Sequence, residues 1–178
     1  PNTIPAEGAS ALWNVQISAR PCVPDCNLPS LELLLFNSGG TGARPTSDGL
    51  SATAFPSGVS TMSIEATENV GPIIVWRKDL REGSGGAGSQ RGGLGQTIEI
   101  EPLEGYDFYF NAMFDRVENP ARGRKGGKPG WAGRVELADG TMLRSKGRQF
   151  VRNGSRLKLS LPGGGGYGIA NKRDNKNI

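Results

Sequence analysis

Short alternating runs set the pattern of the chain. Leu12 to Ile17 (LWNVQI) alternates apolar with polar positions, the period of a half-buried strand. Leu31 to Phe36 (LELLLF) is a short apolar run between Pro29 and Ser38-Gly39-Gly40, and its length favours a strand over a helix. Met62 to Glu68 alternates Met, Ile and Ala with Ser, Glu and Thr, which predicts a strand with one polar face. Pro72 to Trp76 (PIIVW) reads as a buried strand. Thr97 to Glu101 and Tyr106 to Phe114 predict two more, joined by Pro102-Leu103-Glu104-Gly105, a link of hairpin length. The end of the chain predicts short strands at Arg134 to Leu137, Met142 to Leu143, Gln149 to Val151 and Leu157 to Leu161. Asp139-Gly140 and Asn153-Gly154 supply hairpin signals between them. No amphipathic helix longer than about two turns is expected. The fold class is therefore mainly β, with a β-rich α+β arrangement as the alternative. Short strands and hairpins are joined by long Gly-rich loops, and the whole is part of a larger assembly.

Composition adds the loops. The 178 residues include 28 Gly and 12 Pro. Residues 37–60 and 115–133 lack periodicity, and residues 83–95 (GSGGAGSQRGGLG) are the densest glycine segment. Loops this long are usually functional or covered by other parts of a protein. Gly83, Gly85 and Gly88 fit G-x-G-x-x-G, but the residues that follow form a poor helix and then a strand. A dinucleotide loop needs a helix there, so that match is rejected. Gly127-Lys128 is followed by Pro129, which excludes a Walker-type phosphate loop.

The zero for His removes Ser-His-Asp and Cys-His nucleophile pairs and any His-ligated metal centre from this chain alone. Cys22 and Cys26 sit in Pro21-Cys22-Val23-Pro24-Asp25-Cys26, where two reduced thiols and a local disulfide are both open readings. Apolar stretches fall short of a membrane span and no signal peptide is visible, so a cytoplasmic protein without membrane contact is expected. Pro1 fits either removal of a preceding Met or a cut in a longer chain.

Charge divides sharply. Residues 1–115 carry 6 Lys/Arg and 13 Asp/Glu, and residues 116–178 carry 15 and 4. This permits a single unit over 1–178 with a subdivision near 115. The asymmetry raises nucleic-acid binding through residues 116–158 as one reading. The favoured one has the basic half facing an acidic surface of the same assembly, because aromatic residues are not interleaved as a stacking platform requires.

The glycine loops also carry candidate chemistry. Clustered bare N–H groups can form an anion-binding nest. Arg44, following Gly39-Gly40-Thr41-Gly42, and Arg91 in the second glycine segment can add charge-assisted bonds to a phosphate or carboxylate. Asp48 is a turn or polar contact, and Asp115-Arg116 is either part of the site or a local ion pair. The alternative for all of these loops is tight packing without a ligand.

Several segments resemble the C-terminal part of the hydantoinase B/oxoprolinase family. They are Gly39 to Pro45 with Asp48-Gly49 and Ser51 to Ala54; Arg77 to Arg81 with Gly83 to Gly88; Arg91 to Gln96; Asp115-Arg116; Gly126 to Gly130; Lys146-Gly147; and Pro162 to Gly168. They follow the family's order over nearly the whole chain. The departures are a missing N-terminal portion and an ending soon after the last glycine run, which imply a split subunit or a fragment of a longer one.

The resemblance implies a component of an ATP-dependent cyclic-amide hydrolase, or of a related ketone carboxylase such as the acetone and acetophenone carboxylases. Its expected partners are an upstream hydantoinase B-like portion and a hydantoinase A-like ATP-using subunit. ATP with Mg and a divalent metal are implied for the complex through those other portions. For this chain no cofactor, no metal ligand and no nucleic acid are expected. A purely structural subunit is the remaining alternative.

Overall fold

In a computed structural model that describes residues 3–23, 27–53 and 62–170, the chain forms two four-stranded antiparallel sheets. The strands are β1 (Trp13–Pro21), β2 (Leu31–Asn37), β3 (Ile73–Arg81), β4 (Gly95–Pro102), β5 (Tyr106–Met113), β6 (Arg134–Leu137), β7 (Lys146–Val151) and β8 (Leu157–Ser160). One sheet has the order β2-β1-β5-β7 and the other β3-β4-β8-β6. Alternation explains which side of each strand faces in. Trp13, Val15, Ile17 and Ala19 of β1 are buried, as are Tyr106, Phe108, Phe110 and Ala112 of β5. They meet Ile98, Ile100, Leu157, Leu159 and Val135 of the other sheet in one core. Trp13 stacks on Phe114 with ring centroids 4.4 Å apart.

The mainly β expectation holds, but three local readings are corrected. Residues 62–68 are not a strand: helix α1 occupies Ile64–Asn69. The Ser63 side chain caps it by accepting from the Ala66 N–H at 3.2 Å, and Glu65 sits in the first turn, where the helix dipole favours an acid. Over so few residues alternation cannot outweigh a cap. The run at 72–76 is a strand but not a buried one. It begins β3, an edge strand whose register with β4 slips between Val75 and Arg77 and leaves Trp76 52% exposed.

The third correction concerns two predicted hairpins. β4 and β5 lie in different sheets, as do β7 and β8, so Pro102–Gly105 and Asn153-Gly154 are corners between sheets. Asn153 ties the two corners together: its side-chain amide donates to the Leu103 and Tyr106 carbonyls, both at 3.0 Å. By contrast Asp139-Gly140 does turn the chain back, with Met142 bridging Glu136. Cys22 lies exposed just beyond β1, and Cys26 falls outside the described residues.

Both sheets mix strands from either side of residue 115, so the change in charge there does not coincide with a break in the fold. The charges meet instead. Arg116 and Arg122 pair with Glu7, Lys146 with Asp115, and Arg156 with Glu101. On the outer face of the second sheet the register aligns Arg77, Glu99, Lys158 and Glu136 across four strands, an alternating ladder. Four cations of the basic half thus meet acids of the other half.

Candidate functional site

The glycine-rich loops gather at one place. Pro162 to Gly168 runs through their middle, and Leu161 to Gly166 are all buried. Gly164 donates to Gly93 O and accepts from Gly86 N, and Tyr167 exchanges both bonds with Gln90. Gly163 and Gly166 bond instead to Trp131 and Lys128, and Gly165 bonds to Glu7 and Ala43. Residues three apart therefore face the same neighbour, the repeat of an extended left-handed helix. A side chain would block it. A Cβ on Gly164 would fall under 3.0 Å from the Thr41 backbone, and one on Gly163 equally close to Ser84. Glycine thus lets a bundle of loops bury itself with its polar backbone groups satisfied by one another.

This bundle decides what the predicted anion loops do. The Gly40 N–H donates to Pro162 O at 3.0 Å, Thr41 N–H to Leu50 O at 2.9 Å, and Gly93 N–H to Thr41 O at 2.9 Å. Gly86 and Gly92 likewise donate to backbone carbonyls. A nest of bare donors is therefore not formed by these groups.

A cavity of about 420 Å³ opens between the N-terminal segment and the first glycine loop. Residues 5–12 form one wall, and Ser38, Gly39, Gly40, Thr41 and Gly42 the other. Arg44 and Arg116 also line it, with Glu7 paired to Arg116, so Arg44 carries the net positive charge of a largely apolar space. Arg44 is exposed and donates to the Asp48 carbonyl at 3.2 Å. Arg116 is held by Glu7, Nη1 to Oε2 at 2.9 Å, in a partly buried pair. Ser10 and Arg116 both have positive φ, 71° and 59°, although neither is glycine. Such backbone costs roughly 1–2 kcal/mol per residue and tends to persist where surrounding structure or function demands it.

Six of the nine predicted site residues line this cavity: Gly39, Gly40, Thr41, Gly42, Arg44 and Arg116. Asp48 lies behind it, with Oδ1 accepting from the Arg91 N–H at 2.7 Å. Arg91 joins through its backbone while its side chain is exposed. Asp115 is drawn elsewhere: its carboxylate meets Lys146 at 2.9 Å and its carbonyl accepts from Trp13 Nε1. Asp115 and Arg116 thus take different partners.

Glu7 is the residue that sequence reasoning missed. It binds Arg122 and Arg116 and also accepts from the Arg122 backbone N–H at 3.0 Å. The side-chain bond from Arg122 leads in holding its carboxyl down to about 2, aided by that backbone bond and the charges of both arginines. An isolated glutamate in a polar stretch gives no local signal, because its partners are more than a hundred residues away.

Among the described residues no group of three or more His, Cys, Asp or Glu is placed to hold a metal ion. No helix among them is long and apolar enough to cross a membrane.

The fold and the chain order have known counterparts. The chain is 30% identical over 142 residues to a 5-oxoprolinase of Dictyostelium discoideum, an alignment covering 74% of this chain and 11% of that protein. The crystal structure of an ATP-dependent caprolactamase from Pseudomonas jessenii superposes with a TM-score of 0.81 at 25% identity, covering 97% of this chain and 31% of that one. A nucleotide-free acetone carboxylase shares the fold at a TM-score of 0.74 and 18% identity, covering 96% of this chain and 27% of that one. This chain therefore spans less than a third of the proteins it matches. The model of the hydantoinase B/oxoprolinase family matches residues 1–170, and the chain belongs to that family.

Proposed function

We propose that this chain is the β-rich C-terminal portion of a hydantoinase B-like component in an ATP-dependent cyclic-amide hydrolase. The observation that carries the reading is the cavity between residues 5–12 and the Gly39–Gly42 loop, where two arginines border an apolar space. A cyclic amide offers a compact ring with apolar carbon positions, and both its activated form and its ring-opened product carry an anionic oxygen group. The apolar wall suits the ring, and Arg44 is the group able to bind the anion. Arg116 holds the wall by clamping Glu7. A charge-assisted bond of this kind contributes about 1.5–3 kcal/mol.

ATP supplies the activation of the amide, on a hydantoinase A-like companion subunit. In this reading the divalent metal belongs with the upstream hydantoinase B-like portion. The work of this chain is to bind, orient and shield from water, on walls that the glycine bundle keeps rigid.

Reconstitution tests this. The chain alone should hydrolyse no lactam or hydantoin. Combined with the upstream portion and the ATP-using subunit, it should restore ATP-dependent turnover. Full turnover by a complex lacking this chain would exclude it from the site. A ketone carboxylase is the second reading, favoured by the shared fold of the acetone carboxylase. Incorporation of labelled bicarbonate into a ketone, in place of amide hydrolysis, would select it.

A further inference from the structure

The four sheet edges are not protected alike. An unpaired edge invites another strand, and proteins blunt it with charge, bulges, brevity or cover. β3 has its register slip and then Arg77, Lys78, Asp79 and Arg81. β6 is four residues long and is covered by the bridge to Met142 and the bond from Leu143 N to Val135 O. β7 carries Lys146 and Arg148, with Gly147 between them at φ +90°. β2 has none of these. It pairs with β1 without interruption from Leu31 to Asn37, and its one charge, Glu32, is already taken by Arg20 and Ser18. Its outer face exposes Leu34 and Phe36, 51% and 44%. Among the described residues, nothing pairs with its outer side.

Beside this edge an apolar groove of about 200 Å³ runs between the two sheets, lined by Leu35, Met62, Ile64, Val75 and Ile98. The single cation on it is Lys78. The Lys78 ammonium donates to the Met62 carbonyl at 3.0 Å and has no carboxylate within ion-pair distance among the described residues. Burial alone pushes its pKa down, with no acid to offset the effect. A half-buried cation without a counter-charge is a cost that an acidic partner removes.

We infer that the β2 edge is where the upstream hydantoinase B-like portion docks, by adding a strand to this sheet. The docking strand is extended, carries apolar side chains at alternate positions against Leu34 and Phe36, and places an Asp or Glu over Lys78. The inference rests on the reading of this chain as one portion of a larger component. The caprolactamase supports that occupant: this chain accounts for 31% of the matched polypeptide, so most of it lies outside this fold. Main-chain pairing gives the affinity of such an added strand, and the alternate side chains give its specificity.

The test uses the complex of this chain with the co-expressed upstream polypeptide. In an edge strand alternate amides face away from the sheet and exchange quickly with solvent. In a paired strand all of them are slow. Residue-resolved hydrogen exchange should show every amide from Glu32 to Phe36 slowed at least tenfold against the outward amides of β7. The double variant Leu34→Lys/Phe36→Lys should lower recovery of the complex at least tenfold, and Lys78→Glu should lower it several-fold. Arg148→Glu on the β7 edge should leave recovery unchanged. Both β2 side chains are exposed, and unchanged thermal melting of the double variant would show that its fold is kept.

Persistent alternation of fast and slow amides in the intact complex overturns the inference. So does protection that arises from concentration-dependent dimers of this chain without the upstream polypeptide. If the complex turns over with ATP while alternation persists, only the docking site fails. If every amide is slowed but no ATP-dependent turnover appears, the docking stands and the functional reading fails.

Discussion

The sandwich and the glycine bundle reach similar burial by opposite means. In the sandwich, large side chains fill the space between two backbones: Phe108, Phe110, Ile17 and Leu159 are almost wholly buried. In the bundle there are few side chains, and backbone lies directly on backbone. The first is held by apolar surface removed from water, which is non-directional and tolerates some repacking. The second is held by hydrogen bonds whose geometry leaves little freedom. The cavity lies beside the bundle, walled by residues 5–12 and by Ser38 to Gly42. A rigid backbone wall suits a site better than a mobile loop would.

Substitution can break this contrast. The largest effect should come from the sandwich: Phe110→Ala should cost about 3–5 kcal/mol in denaturant unfolding, through lost burial and a cavity. Gly164→Ala should come close to it, at about 3 kcal/mol or more, although it adds only one methyl group. The new Cβ meets the Thr41 main chain, which has no flexible end to move aside. A Gly164→Ala variant as stable as the parent would show that the bundle is not closely packed. Gly154→Ala sharpens the point: Gly154 has φ +75° with nothing within 4 Å of its Cβ position. Backbone strain is then the only term, about 1–2 kcal/mol.

The cavity gives two smaller effects. Arg44→Ala should lower turnover of the reconstituted complex about tenfold, from the loss of one charge-assisted bond, without loss of assembly. Failure to assemble would mark Arg44 as structural. Glu7 links the cavity wall to pH. Its folded carboxyl lies near 2 against an ordinary 4.5, so the folded state favours the ionised form. That stabilisation is complete above about 4.5 and is lost as the pH falls towards 2. Solvent screening reduces it to about 1 kcal/mol. In acid titrations of stability, Glu7→Gln should be less stable at neutral pH and should lose part of the acid sensitivity of the parent.

Strand positions were largely legible in the sequence, because alternation is local. Trp13 to Ala19 and Tyr106 to Ala112 bury every second residue as their patterns predict. The helix at Ile64 was not, since a cap and a short alternation compete over the same seven positions. Nor did the corners separate from hairpins: Pro102–Gly105 and Asn153-Gly154 are short turns either way, and only the pairing of distant strands decides which sheet follows. Of the cavity, the glycine loop and Arg44 stood out by their spacing. Glu7 did not, because a counter-ion for Arg116 can come from anywhere in the chain.

By itself the sequence determined a β-rich chain with glycine concentrated in a few loops, no histidine chemistry and the order of blocks that marks its family. Those features depend on residue type and near neighbours. Tertiary structure alone decided that the loops would satisfy one another, because a bond from Gly165 to Glu7 or from Gly164 to Gly93 joins residues that share no local pattern. It also decided that Arg116 and Arg156 would meet acids of the other half, and that among the described residues no strand would pair with the outer side of β2. Charge and pairing act through space, and a one-dimensional pattern carries no record of which groups will be brought within reach.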